Sequence, residues 1–237
     1  MKAAIALLLL TAAGPAQWPG GEDIPAVAAP SVPRQAATVD GFVPEGWLLE
    51  ARAAGDLNGD TLPDAALVLH MDDPRNRIAP PWGSESRYDT NPRMLVIGFA
   101  RKSGGYELAV ADHKLIPRLE NPSQDDPFDE VSIKSGVLAV KMHHFMSAGG
   151  WAAGGSSYRF RWRDGGFKLI GLDRDTVMRN TGETAEVSIN YLTGRKLLKE
   201  GNIGSDRQTE RWVTIPVKPL LDLTRIGDGL MFDPDKP

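Results

Sequence analysis

The chain has no cysteine at all. That excludes a disulfide scaffold and any thiolate nucleophile, zinc knuckle or iron–sulfur site. Stability must come from a hydrophobic core, with or without help from a metal. Only 4 histidines are present, so a histidine-rich metal centre has few residues to draw on. His143 and His144 are adjacent, and on a strand they would point to opposite faces, unable to share one ion. There is no strong charge of either sign: the formal net charge is -4. That mild acidity argues against nucleic acid and against a basic membrane-binding surface. No apolar run is long enough for a transmembrane helix. The motifs Gly-x-Ser-x-Gly and His-Glu-x-x-His are missing too, which removes the commonest serine-hydrolase and zinc-protease readings.

The N-terminus has the parts of a signal peptide. Lys2 supplies positive charge, Ala3 to Ala13 is a short apolar run, and Gly14-Pro15-Ala16 is a small-residue cleavage site. Residues 1–16 are therefore expected to be removed on export, leaving a periplasmic or secreted protein that starts at Gln17. Residues 17–40 are rich in Pro, Ala and Gly without periodicity and read as a flexible linker. A single domain is expected over 41–227, followed by a tail at 228–237.

Within that domain, period-two alternation dominates. Tyr158, Phe160 and Trp162 alternate with Arg159, Arg161 and Arg163, and Asp164-Gly165-Gly166 turns the chain into Phe167 to Ile170. Similar hairpins are expected at Ser135-Gly136 and Thr193-Gly194. Ala65 to Leu69 and Met94 to Phe99 are continuous apolar strands. Only Pro219 to Ile226 starts like a helix. The expected fold is all-β: one antiparallel meander of hairpins, propeller-like or sandwich-like but not a closed propeller, with a short C-terminal helix. The three arginines should form the wet face of a half-buried sheet, paired with acids.

The most specific signal is Asp56 to Asp64, D-L-N-G-D-T-L-P-D. Asp56, Asn58, Asp60 and Asp64 stand at positions 1, 3, 5 and 9 of a loop, and Leu62 at position 7 can offer its carbonyl. Calcium takes six to eight hard oxygens, and alternating short carboxylates on a coiled loop supply most of them. An Asx-rich turn without metal would use the same residue types. The run G-D-L-N-G-D-x-x-P-D followed by an apolar strand resembles the calcium loop of FG-GAP/VCBS repeats. It also resembles the first part of an EF-hand loop, but Thr61 and Leu67 stand where that loop has Gly and Glu. Either Thr61 or Gly59 must then take the sharp turn. Further segments in order, from V-P-E-G-W at 43–47 to S-I-N-Y-L-T-G-R-K-L-L at 188–198, resemble a group of exported bacterial β proteins with no assigned activity. The resemblance implies fold, location and a calcium site, and no chemistry.

Other surfaces are weaker candidates. Trp82 and Trp151 fall in loops and could meet a protein or carbohydrate partner, against the alternative of wedging on their own domain. The stretch Ala148 to Gly155 lacks the Lys and the helix of a phosphate loop; a mobile hairpin loop with an exposed aromatic is the plain alternative. Asp72, Asp73, Asp89, Asp125, Asp126, Asp129 and Glu130 could supply an extra calcium ligand or a hydrolase carboxylate pair. Two functions stay open: a non-catalytic envelope or secreted module with a structural calcium loop, or a hydrolase of cell-wall or polysaccharide material. Converging carboxylates in a cleft would favour the second, and scattered ones the first.

Overall fold

The computed structural model describes residues 23–83 and 86–235. The expected signal peptide and the first residues of the linker lie outside them. The chain forms β1 (Gln35–Ala36), β2 (Trp47–Gly55), β3 (Asp64–Met71), β4 (Arg77–Ile78), β5 (Tyr88–Asp89), β6 (Arg93–Ala100), β7 (Tyr106–Asp112) and β8 (Phe128–Lys134). It continues with β9 (Val137–His144), β10 (Ala152–Arg163), β11 (Gly166–Met178), β12 (Glu183–Asn190), β13 (Arg195–Asn202) and β14 (Ser205–Thr214). A five-stranded sheet has the order β1-β7-β6-β3-β2, and a seven-stranded meander runs β14 to β8 in sequence order. All pairings are antiparallel and neither sheet closes. The two sheets share one core, so the fold is an all-β sandwich.

The continuous apolar runs have a direct cause: the smaller sheet is covered on both faces. Ala66, Val68, Leu95 and Ile97 face the larger sheet and pack with Leu138, Val140, Tyr158, Phe160, Phe167 and Leu169. Ala65, Leu67, Leu69, Met94 and Val96 face the other way. There they meet Phe42 and Trp47, with Val32, Ala36, Val39 and Val43 packed around them. Gly98 makes room for this cover, because a Cβ there would lie 2.6 Å from the Phe42 ring. Hence residues 32–40 are not linker. They form a third layer, and Gln35–Ala36 add a short strand to β7.

The larger sheet alternates as expected. Tyr158 and Phe160 are buried and Trp162 packs at the core's edge, while Arg159, Arg161 and Arg163 turn outward. The chain after β14 returns over the inner face, and Leu223, Ile226 and Phe232 join the core. Arg174 Nη1 donates to the Phe232 carbonyl at 3.1 Å, and Lys196 Nζ, itself buried, meets Asp235 at 2.6 Å. The domain therefore runs past 227 to Asp235, and the expected tail is structural. The expected C-terminal helix is a single 3-10 turn, Leu223–Arg225, capped by Asp222. The residues before it are held extended against β11 instead: Leu169 N donates to Leu221 O at 2.8 Å, and Asp222 bridges to Lys168.

Hairpin connectivity sorts the loops to two ends. The 56–63 and 101–105 loops and the turns at 135–136 and 164–165 share one end. The 72–92 excursion, the 113–127 segment and the 145–151 loop share the other.

Candidate calcium loop and neighbouring surfaces

The 56–63 loop is built by its own side chains. Asp56 accepts from Gly59 N at 2.7 Å through Oδ1 and from Thr61 N at 2.9 Å through Oδ2. Asn58 Oδ1 accepts from Asp60 N at 3.0 Å, and Asp60 Oδ1 from Leu62 N at 2.9 Å. These are Asx turns in series. Both candidate residues take the left-handed conformation, Gly59 at φ 86° and Thr61 at φ 72°. For a β-branched residue that is strained, and the Thr61 N–H to Asp56 bond helps hold it.

Asp64 behaves differently. It is fully buried at the start of β3. Its Oδ2 accepts from Leu57 N and its Oδ1 from Ala100 N, each at 2.8 Å. One carboxylate thus ties the loop to the end of β6. Burial, with a contribution from the Asp60 charge, raises its pKa above the usual carboxylate value, against the lowering by its backbone donors. Gly136, in the β8–β9 turn of the other sheet, lies beside the Asp56 carbonyl.

The structure therefore brings Asp56, Asn58 and Asp60 into one turn, with Leu62 beside them, and draws Asp64 beneath it. Among the described residues, no group of three or more His, Cys, Asp or Glu side chains is arranged to hold a metal ion. The donor chemistry nonetheless suits calcium. An ionised carboxylate has about four lone-pair sites, so one N–H bond per oxygen leaves Asp56 and Asp60 with acceptor capacity. Every atom offered is a hard oxygen.

The remaining candidates resolve plainly. His143 faces out and pairs with Asp129 at 2.6 Å. His144 faces in, its Nε2 buried without a partner, and burial followed by the Arg174 charge lowers its pKa. The two diverge, as alternation requires. Where the acidic residues come together, they do so around a basic side chain. Asp126 and Glu50 grip Arg93 at 2.6 Å each, Glu130 meets Lys141 at 2.6 Å, Asp73 pairs with Arg75, and Asp72 and Asp89 with Arg77. The glycine-rich loop is pinned: Arg179 Nη2 donates to Gly150 O at 2.7 Å and to Met146 O, and its guanidinium lies 4.4 Å from the Phe145 ring. Trp151 and Trp82 are exposed, on loops at the end of the sandwich opposite the 56–63 loop.

Sequence reasoning missed two polar clusters. Arg93 is buried between the sheets with two carboxylates, 5.7 Å from the Phe128 ring. Arg174 lies inside with Tyr158, whose hydroxyl donates to Gly229 O. An Arg at the head of the apolar run M-L-V-I-G-F was the only signal for the first. Trp212, half-exposed on β14, was also passed over.

No family model matches the chain, and no curated protein or solved structure matches it either. The likeness to FG-GAP/VCBS loops rests on the motif itself.

Proposed function

We propose that this is a non-catalytic, exported module whose 56–64 loop takes up calcium and thereby stiffens one end of a β-sandwich that presents a binding surface. Asp56, Asn58 and Asp60 would supply side-chain oxygens and Leu62 its carbonyl. Asp64 acts first as the anchor below. The observation that carries this reading is the convergence of four backbone N–H groups on Asp56, Asn58 and Asp60, which fixes three oxygen-bearing side chains in one turn. Calcium bound there adds charge compensation where Asp60 and Asp64 repel. The loop touches the β8–β9 turn as well as β6, so stiffening it braces both sheets.

Export fits the signal-like N-terminus and the absence of cysteine. It also fits weak sites of roughly 0.1–1 mM, which fill only outside the cytoplasm. The ion-paired acids favour a binding module over the hydrolase, because a carboxylate held by Arg or Lys is stabilised as the base and is a poor general acid.

The test is thermal melting of the chain with calcium, magnesium or chelator, together with N-terminal sequencing of the exported protein. A calcium-specific rise in melting temperature and a new N-terminus at Gln17 are expected. Identical melting in calcium and chelator would refute the metal, and an intact Met1 on a cytoplasmic protein would refute export.

A further inference from the structure

The outer face of the seven-stranded sheet carries a groove of about 520 Å³ whose lining includes Asp173, Asp175, Glu186, Ser188, Leu197 and Lys199. Strand register explains the assembly. Ser157, Asp173, Ser188, Leu197 and Trp212 are successive cross-strand partners, one row over β10 to β14. At about 4.8 Å per strand the row spans about 19 Å. A second row, Asp175, Glu186, Lys199 and Glu210, runs beside it.

Three properties restrict what this surface can hold. Two of its carboxylates are balanced in place, Asp173 by Arg159 and Glu186 by Lys199 at 3.5 Å, while Asp175 and Glu210 bond to neutral N–H groups and leave the face mildly acidic. It therefore has no strong field to draw a polyion. Its polar groups are fixed in advance, with Ser188 Oγ donating to Asp173 Oδ1 at 2.6 Å and Asp175 accepting from Gly155 N at 3.2 Å. An aromatic ring stands at its rim. Trp212 is 54% exposed, yet its Nε1 donates to Glu210 at 3.2 Å and Arg195 sits 4.4 Å from its centroid. A ring already held this way loses little freedom on binding, and Leu197 continues its apolar surface into the groove.

We infer that this face binds a neutral glycan chain. Such a chain has hydroxyl-bearing edges for the carboxylate, guanidinium and hydroxyl groups. It has apolar C–H faces for Trp212 and Leu197, and no charge to be repelled or left unpaired. The inference rests on the reading of the protein as a binding module and gives that module its ligand class. It does not need the calcium loop to be occupied.

The experiment probes the full chain on an array of neutral hexose and pentose oligosaccharides of two to eight units, with uronic-acid oligosaccharides on the same slide, followed by calorimetry on the strongest neutral binder. Binding should favour the longer neutral chains, fall at least tenfold in Trp212→Ala and in Ser188→Arg, which fills the groove, and stay unchanged in Lys102→Ala. Circular dichroism confirms that the variants fold. Absence of binding to every neutral chain, preference for uronic acids, or loss through Trp151→Ala with Trp212→Ala unaffected would each overturn the assignment. Failure here alongside a calcium-dependent melt would remove the glycan and leave the calcium reading standing.

Discussion

Asp60 and Asp64 sit four residues apart, and their substitution should separate metal binding from loop anchoring. Asp64→Ala strands one buried donor, Leu57 N, and one part-buried donor, Ala100 N, each now 2.8 Å from a carboxylate oxygen. A buried donor left without a partner costs about 1–3 kcal/mol. Relief of burying the charge, which is what raises the Asp64 pKa, offsets part of this. A net loss of about 2–4 kcal/mol is expected, in calcium or chelator alike. For a domain of this size each kcal/mol moves Tm by about 2–4 °C, so the drop should exceed about 4 °C. Asp60→Ala touches only a half-buried turn. In chelator it should be close to neutral, because a lost Leu62 N bond is balanced by weaker repulsion on Asp64. In 1 mM calcium, with Kd near 0.1 mM, the wild type gains about 1.4 kcal/mol by RT ln(1 + [L]/Kd). The variant should forfeit most of that. Differential scanning calorimetry of both variants in calcium and in chelator supplies all four numbers. Equal losses in Asp60→Ala under both conditions, or an Asp64→Ala that melts like wild type, would refute the division of labour.

Acid should expose Asp64 as well. Its folded pKa lies above the unfolded 3.8, so between these values the folded state holds the extra proton and stability falls as pH rises. In chelator, the advantage of wild type over Asp64→Asn should therefore grow as pH is lowered toward 4, and a flat difference in urea titrations would contradict it. Thr61→Gly removes the strain of a β-branched residue at φ 72° and should add about 1 kcal/mol after the entropy cost of glycine, readable as a shifted urea midpoint. Arg93→Met leaves Glu50 and Asp126, both part-exposed, facing each other without their cation and should cost about 1–3 kcal/mol. Removing one of the two stranded charges by adding Glu50→Gln should recover part of that in the same assay. Burial pushes the Tyr158 phenol up to about 12, so ultraviolet titration of the folded protein should lose one high-pH phenolate step in Tyr158→Phe.

Much of this molecule is written locally. Alternation of Tyr158, Phe160 and Trp162 with three arginines determines which side of β10 is wet, because side chains on a strand point to opposite faces in turn. Turn chemistry at Ser135-Gly136, Asp164-Gly165 and Thr193-Gly194 determines the meander, since Ser135, Gly136, Asp164, Gly165 and Gly194 take the positive φ that these hairpins need. The spacing of Asp56, Asn58 and Asp60 determines a coiled loop, because each short side chain reaches a backbone N–H two to five residues ahead.

Only tertiary structure decided the rest, and the reason is distance along the chain. Asp64 looks like a third loop acid until Ala100 is brought to it from 36 residues away. Residues 32–40 read as linker because their apolar side chains have no period, and they fold because β3 and β6 leave a second face uncovered. The tail past 227 is likewise recruited by Arg174, Tyr158 and Lys196, whose partners no local pattern announces. The outer row from Ser157 to Trp212 exists only once five strands are in register. Each of its residues is an ordinary polar or half-exposed position until its cross-strand neighbours stand beside it.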